Sequence, residues 1–428
     1  MKFGEEIVIR GGTVIDQTGT RRADVVIADG RILRVGTDLT AARMLDASGC
    51  FVTPGLVEIG AQLGQPGREG QESIISASRA AVLGGFTAVV ARPDTEPVID
   101  SPAVVAEIRS FAAHALCDVL PSATVTIGGK GHGRLSPMAE LAAIGVRFFV
   151  DEGVGIAEPA TLRRALDYAA ELGVLIGQHA EEASLAAGGC VHEGEWSARL
   201  GLAGIPAEAE ELGVMSALAM ARLTAAPLHF RRLSTAGSLA MVAAARRGGV
   251  AVSADATINH GILTHDALAG FDPNAIFRPP LRPREDVDAV RAGLNSGVLS
   301  VLSSDHCPHP PQAKEVPLDE AAPGAVGLET TLSLAVGELG LDVADVFARL
   351  SWGPAQLLGV SGVHGGPISA GAPANICVFD PTERWTFDPA TGASRGRNSP
   401  FGGRSLVGRV RHTLVHGEVV VLQGKAQR

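Results

Sequence analysis

The feature that most narrows the fold is an alternation repeated along the middle of the chain. Short β-branched and aromatic runs recur there: FTAVVA (86–91), VRFFVD (146–151), GVLIGQHA (173–180), APLHFRRLS (226–234), VAVSADA (250–256) and VLSVLSSD (298–305). Between them lie Ala/Leu-rich stretches with helical spacing, such as SIISASRAAVLGG, PATLRRALDYAAELG and AGSLAMVAAARRGG. Each of these closes on glycine, which takes the left-handed backbone of a helix end without a Cβ penalty. Alternation sustained over about 300 residues predicts a (β/α)8 TIM barrel, because parallel strands need long crossovers and a helix is the compact one. A doubly wound open sheet alternates in the same way. It more often carries GxGxxG after its first strand, and none stands there.

The two ends read differently. EIVIRGGTVI and ADVVIADGRILRVG place Asp29-Gly30 between β-rich runs, a hairpin signal. ANICVFDP, RWTFDP and VGRVRHTLVHGEVVVLQG, with a turn at His416-Gly417, repeat the pattern at the other end. The expected organisation is a small β-sandwich built from 1–53 and 362–428 around a barrel at 54–361.

Composition sets outer limits. Hydrophobic residues at 46% suffice for a large core, and no apolar run reaches the 18–20 residues of a membrane span. A net charge of −10 disfavours nucleic acid and anionic membrane as partners. Cys50, Cys117, Cys190, Cys307 and Cys377 are scattered without a CxxC pair, as expected for a reducing cytoplasm and against a Cys-based zinc site. MKFGEEIVIRGG carries acids where a secretory leader has a basic region, so no signal peptide is read there.

Barrel chemistry sits at the C-terminal ends of the strands. Asp151, His179, Arg232, His260 and the segment Asp305 to His309 fall there, in the same phase of successive strands. One such residue means little. Several in register mark a site.

The motifs VTPGLVEIGAQLGQPGREG (52–70), GGFTAVVARPDTEPVID (84–100), QHAEE (178–182), IPAEAEELGV (205–214), HFRRLST (229–235), PPLRPRED (279–286), DHCPH (305–309), APGAVGLET (322–330) and NSPFGGRSLVGRV (398–410) follow one another in order. Together they resemble the dihydroorotases of the metal-dependent amidohydrolase superfamily over nearly the whole chain. The resemblance implies a barrel holding two zinc ions, a β-sandwich from both termini, and hydrolysis or formation of a cyclic amide in pyrimidine biosynthesis. It also maps the family's ligands onto this chain. The Asp-x-His-x-His motif falls on Glu58, Ile59, Gly60, Ala61 and Gln62, so both histidines are lost. Metal positions are retained at Asp151, His179 and Asp305, the last also the acid/base position, and the remaining ligand position is Arg232. Among substrate-binding positions His309 is retained, whereas Gly64, Asp94 and Arg278 replace an arginine and two asparagines.

These losses predict a silent site. Glycine offers no donor, glutamine only a neutral amide oxygen, and an arginine repels a dication. Without zinc, nothing brings a bound water's pKa from about 15.7 to near 7. Arg232 is expected to enter the vacated cavity and pair with Asp151 or Asp305, whose carboxylates would otherwise repel each other. The resemblance extends to pseudo-dihydroorotases, which associate with the catalytic chain of aspartate carbamoyltransferase. That implies an oligomeric structural partner with no cofactor. A second reading keeps an enzyme with a reduced, mononuclear zinc site at Asp151, His179 and Asp305, with Gln62 or His260 as a fourth contact. A third, a hydantoinase or allantoinase relative, requires a carboxylated lysine where this chain has Asp151; the nearest lysine, Lys130, lies in the GGKGHG loop, read as a mobile turn. His229 is expected to be packed in its strand, Cys307 to stand for a small residue, and 311–324 to form a flexible loop beside the site.

Overall fold

The computed structural model describes residues 6–427. Eight parallel strands form the central barrel: Leu56–Ala61, Phe86–Ala91, Asp118–Pro121, Phe148–Val150, Leu175–His179, Leu228–Arg231, Val252–Thr257 and Val301–Ser303. The first three pair in order, as do the last five, and an isolated bridge from Ala123 to Phe149 joins the two sets. The ring closes where the Gln62 amide donates to the His306 carbonyl at 2.9 Å and the Ser304 amide donates to Glu58 Oε2 at 2.8 Å. Phe86–Ala91 is buried at every position, as expected of a strand packed on the barrel interior on one side and on helices on the other.

The crossover helices follow local signals. The helix Pro159–Leu172 has proline in its first turn, where the missing N–H costs nothing, and ends on left-handed Gly173. It buries Leu162, Ala165, Leu166 and Ala169, the i, i+3, i+4, i+7 stripe of a helix covering a sheet. Arg284–Ser296 starts after Pro283, carries Glu285 and Asp286 in its first turn, and stops at left-handed Gly297. Strand Asp118–Pro121 had no clear sequence signal, because it is four residues long and only half-buried.

Both chain ends build the second unit. One sheet holds Arg31–Gly36, Asp24–Ala28, Ile7–Arg10 and Arg43–Asp46; the other contains Ile376–Thr386 paired to Phe51–Pro54, with Val378 opposite Val52. Ile9, Val14, Val25, Val52, Ile376, Val378 and Leu414 fill the space between them. The two expected turns meet there. Asp29, Gly30, His416 and Gly417 all have positive φ, and a Cβ on Gly417 would lie 2.8 Å from Gly30 Cα. Glycine is needed at that crossing for its size as well as its φ. Among the described residues no helix is long and apolar enough to cross a membrane.

Two segments expected to be mobile are pinned. In the segment 311–324, Leu318 and Ala321 pack with Phe277 and Leu281, and buried Lys314 donates from Nζ to the Pro273 carbonyl at 2.9 Å. In the GGKGHG loop the Gly128 amide donates to Asp100 and the Gly131 amide to Asp151.

Candidate active site at the barrel mouth

The C-terminal strand ends bring three arginines and four carboxylates into one buried cluster. Arg232 lies at its centre, with Nη1 3.0 Å from Asp305 Oδ1 and Nη2 2.8 Å from Glu152 Oε2. Arg231 reaches Asp255 Oδ2 at 3.0 Å and Glu152 Oε1 at 3.4 Å, with its guanidinium over the Phe148 ring. Arg92 grips Asp94 at 2.8 Å and lies 3.8 Å from Asp305. In a regular strand Arg231 and Arg232 would point to opposite faces. Here Arg232 takes a left-handed backbone, φ +55°, so both side chains enter the barrel.

The electrostatics follow from this packing. Burial pushes the Glu152 carboxyl up, but Arg232, Arg92 and Arg231 outweigh it and hold it well below the usual carboxylate range. The His179 imidazole is pushed down to about 3 by burial and by nearby Arg232, so it is neutral. Among the described residues neither of its ring nitrogens has a hydrogen-bond partner. Glu58, fully buried, is pushed up by desolvation although the Ser304 and Gly60 amides donate to it.

The structure redistributes the expected site residues. Arg232 pairs with Asp305 and not with Asp151. Asp151 points away from the cavity, accepting from the Val125, Thr126 and Gly131 amides and from Thr126 Oγ1, and so anchors the 125–131 loop. The carboxylate that enters the cavity is the next one, Glu152. Gln62 is engaged too: Nε2 donates to Asp94 at 3.0 Å, and Oε1 lies 3.1 Å from Cys307 Sγ. His260 cannot serve as a further metal contact in this arrangement, because one ring nitrogen bonds Thr257 Oγ1 and the other the Pro279 carbonyl. Arg278 pairs with Glu181. His309 is turned to the Pro323 carbonyl at 3.0 Å, with Cys307 Sγ 3.4 Å away. Gly64 has φ +72°, and a Cβ there would meet the Glu72 carbonyl at 2.1 Å.

A family model described as Dihydro-orotase-like matches residues 49–238. A protein named dihydroorotase from Pelotomaculum thermopropionicum is 39% identical over 97% of this chain and 98% of its own length. One of the same name from Anaeromyxobacter dehalogenans is 40% identical, with both chains covered in full. The chain belongs to the dihydroorotase family. Its fold is that of the wider amidohydrolase group: an L-hydantoinase from Arthrobacter aurescens superposes with TM-score 0.90 at 22% identity over 99% of this chain and 98% of that one. A dihydropyrimidinase from Brevibacillus agri NCHU1002 gives 0.86 at 25% identity, covering 99% and 96%.

The zinc pair implied by membership of the dihydroorotase family does not fit these residues. Among the described residues no group of three or more His, Cys, Asp or Glu side chains is arranged to hold a metal ion. The space is taken by guanidinium groups. A Cβ added to Gly60, at the first lost histidine position, would lie 2.4 Å from Arg231 Nη2. Glu152 and Asp305 are already paired with Arg232, and the three guanidinium groups offset most of the cluster's negative charge, which weakens its attraction for a dication.

Four members of the cluster were not anticipated: Arg92, Glu152, Arg231 and Asp255. The signal for Glu152 was the adjacent pair Asp151-Glu152 at a strand end, where alternation sends only one of two neighbours inward. Phe149 and Asp151 share one face, Val150 and Glu152 the other. Arg231 and Asp255 lie two residues along their strands from His229 and Ser253, on the same inward face.

Proposed function

We propose that this protein is a dihydroorotase-family member of pyrimidine biosynthesis that does not hydrolyse through the family's metal centre and acts as a structural partner of the aspartate carbamoyltransferase catalytic chain. The observation that carries the catalytic part is Arg232, whose guanidinium bridges Asp305 and Glu152 inside the cavity that would hold zinc. A group that neutralises the acid/base carboxylate and fills the water site removes both the nucleophile and its activation. The substrate side supports the same reading. Gly64 lacks a cationic side chain, Asp94 is committed to Arg92 and Gln62, and Arg278 to Glu181. The partner rests on the resemblance to pseudo-dihydroorotases, in which an intact barrel and sandwich outlive the chemistry.

The test measures zinc by inductively coupled plasma mass spectrometry on chelator-free protein, with dihydroorotate hydrolysis assayed on the same sample. The protein is also mixed with the carbamoyltransferase catalytic chain and run on a sizing column. Substoichiometric zinc, no turnover and a co-eluting complex support the proposal. One equivalent of zinc with turnover removes it.

A second reading, an active cyclic-amide hydrolase with a reduced zinc site, is favoured by one observation. His179 is buried with both ring nitrogens unpartnered among the described residues, as a waiting ligand would be. That reading requires Arg232 to leave Glu152 and Asp305 when metal binds.

A further inference from the structure

Below the barrel mouth a second constellation shares Asp255 with the arginine cluster and runs toward the opposite end of the barrel, away from the family's metal positions. His229 on strand Leu228–Arg231 stands in register with Ser253 on strand Val252–Thr257. The two-residue period of a strand places Ser253 and Asp255 on one inward face. The imidazole lies between them, with Nδ1 2.8 Å from Ser253 Oγ and Nε2 3.0 Å from Asp255 Oδ2. The carboxylate can only accept, so the ring holds its proton on Nε2 and leaves Nδ1 to take the serine proton. Burial keeps the imidazole neutral against the pull of Asp255, and Arg231 beside Asp255 keeps that carboxylate ionised.

Ser253 also opens on a cavity of about 950 Å³ at the N-terminal ends of the strands. Its walls include Leu175, Val250, Val252, Leu357 and Leu358 together with Arg147, Arg246 and Gln356. His229 lies fully buried beneath, with Phe148 edge-on at 6.3 Å between centroids. A serine hydrogen-bonded to a neutral imidazole, a carboxylate orienting that imidazole, and a cavity lined in part by that serine give the arrangement of an activated nucleophile.

We propose that Ser253 and His229, positioned by Asp255, form a serine-nucleophile relay that accepts small apolar acyl or phosphonyl esters from the cavity at the N-terminal end of the barrel. Ser253 Oγ bonds to the acyl carbon while its proton passes to His229 Nδ1. The ester C–O bond breaks, and the leaving alkoxide takes that proton and departs as an alcohol. Water then attacks the acyl-serine, gives a proton to Nδ1, and the carboxylic acid leaves as the serine recovers the proton. The sum is ester plus water giving acid plus alcohol, with no redox partner. Asp255 holds the ring and stabilises it while charged.

The probe is an alkyl fluorophosphonate, incubated with the full-length protein and followed by peptide mass spectrometry. The expected result is an adduct on the Ser253 peptide that disappears in Ser253→Ala, a change removing a single oxygen. In His229→Gln, checked as folded by circular dichroism, labelling slows about a hundredfold, the usual contribution of a general base. Wild-type labelling falls only below pH 6.5, because the ring's pKa lies below that value. In Asp255→Asn that profile moves to lower pH; a purely structural Asp255 would leave it in place. No adduct on Ser253 in the wild-type protein, or an equal rate in His229→Gln, overturns the proposal, and neither outcome bears on the barrel mouth.

Discussion

Arg232 Nη1 lies 3.0 Å from Asp305 Oδ1, and both residues hold a left-handed backbone, φ +55° and +49°. Non-glycine residues adopt that conformation at a cost of order 1–3 kcal/mol when the surroundings enforce it, and such residues gather at functional sites. The barrel mouth therefore holds two strained residues joined by an ion pair.

Removing that guanidinium leaves Glu152 and Asp305 buried with one fewer cation. Arg232→Ala is expected to destabilise the fold by about 3–5 kcal/mol, the cost of breaking a buried pair by deleting one partner. Arg232→Met combined with Glu152→Gln and Asp305→Asn should recover most of that loss, since no uncompensated charge remains. Urea denaturation of the two variants checks both. If Arg232→Ala is as stable as wild type, the cluster is open to water and the electrostatic account fails.

Gly60 and Arg231 compete for one volume. Gly60→Ala sets a methyl 2.4 Å from Arg231 Nη2, so the side chain must shift away from Asp255 and Glu152. In an Arg231→Ala background the same methyl keeps only an ordinary contact, with Arg92 Cγ at 3.6 Å. The cost of Gly60→Ala should fall there, giving a coupling energy of about 0.5–3 kcal/mol in a double-mutant cycle. Additive effects would mean that Arg231 is mobile enough to ignore the methyl.

Much of this was legible in the sequence, and the remainder failed for local reasons. The barrel could be read from alternation because strands such as Phe86–Ala91 are buried on both faces and several of the helices end on glycine. Strand Asp118–Pro121 is half-buried, so its residues carry no pattern. Arg232 and Asp305 could be placed together because both sit at strand ends of adjoining phase. Asp151 was misplaced by one residue, since two adjacent acids give the same motif and only the pleat decides which turns inward. Arg231 was missed for a related reason: the left-handed turn at Arg232 sends neighbouring residues to the same side, which period-two reasoning forbids.

The Asp151 correction has its own consequence. Asp151 accepts three backbone amides and one hydroxyl from the 125–131 loop, so Asp151→Asn should act on that loop and leave the arginine cluster intact. Hydrogen bonds to a charged acceptor contribute about 1.5–3 kcal/mol each at most, and the amide retains one acceptor oxygen, so a loss of about 1–3 kcal/mol is expected. Hydrogen exchange should quicken at Val125, Thr126 and Gly131. Faster exchange at 228–232 instead would place Asp151 in the cavity after all.

The buried neutral His179 makes stability depend on pH. Its pKa falls from 6.5 to about 3 on folding, so the unfolded chain binds a proton that the folded chain refuses. Its contribution is fully present above pH 6.5 and is lost as pH falls through the window toward 3. Glu152, whose pKa is also depressed, adds a loss of the same sign below its ordinary 4.5. Between pH 7 and 5 only His179 of these two titrates in the unfolded state, and the linkage amounts to about 2 kcal/mol. Unfolding free energies measured by urea at both pH values should decline by more than that, because His192, His229 and His260 are also lowered by burial, and His179→Asn should reduce the decline by about 2 kcal/mol. A variant with an unchanged slope would mean that His179 is protonated when folded, held by a carboxylate that the present arrangement gives to arginine.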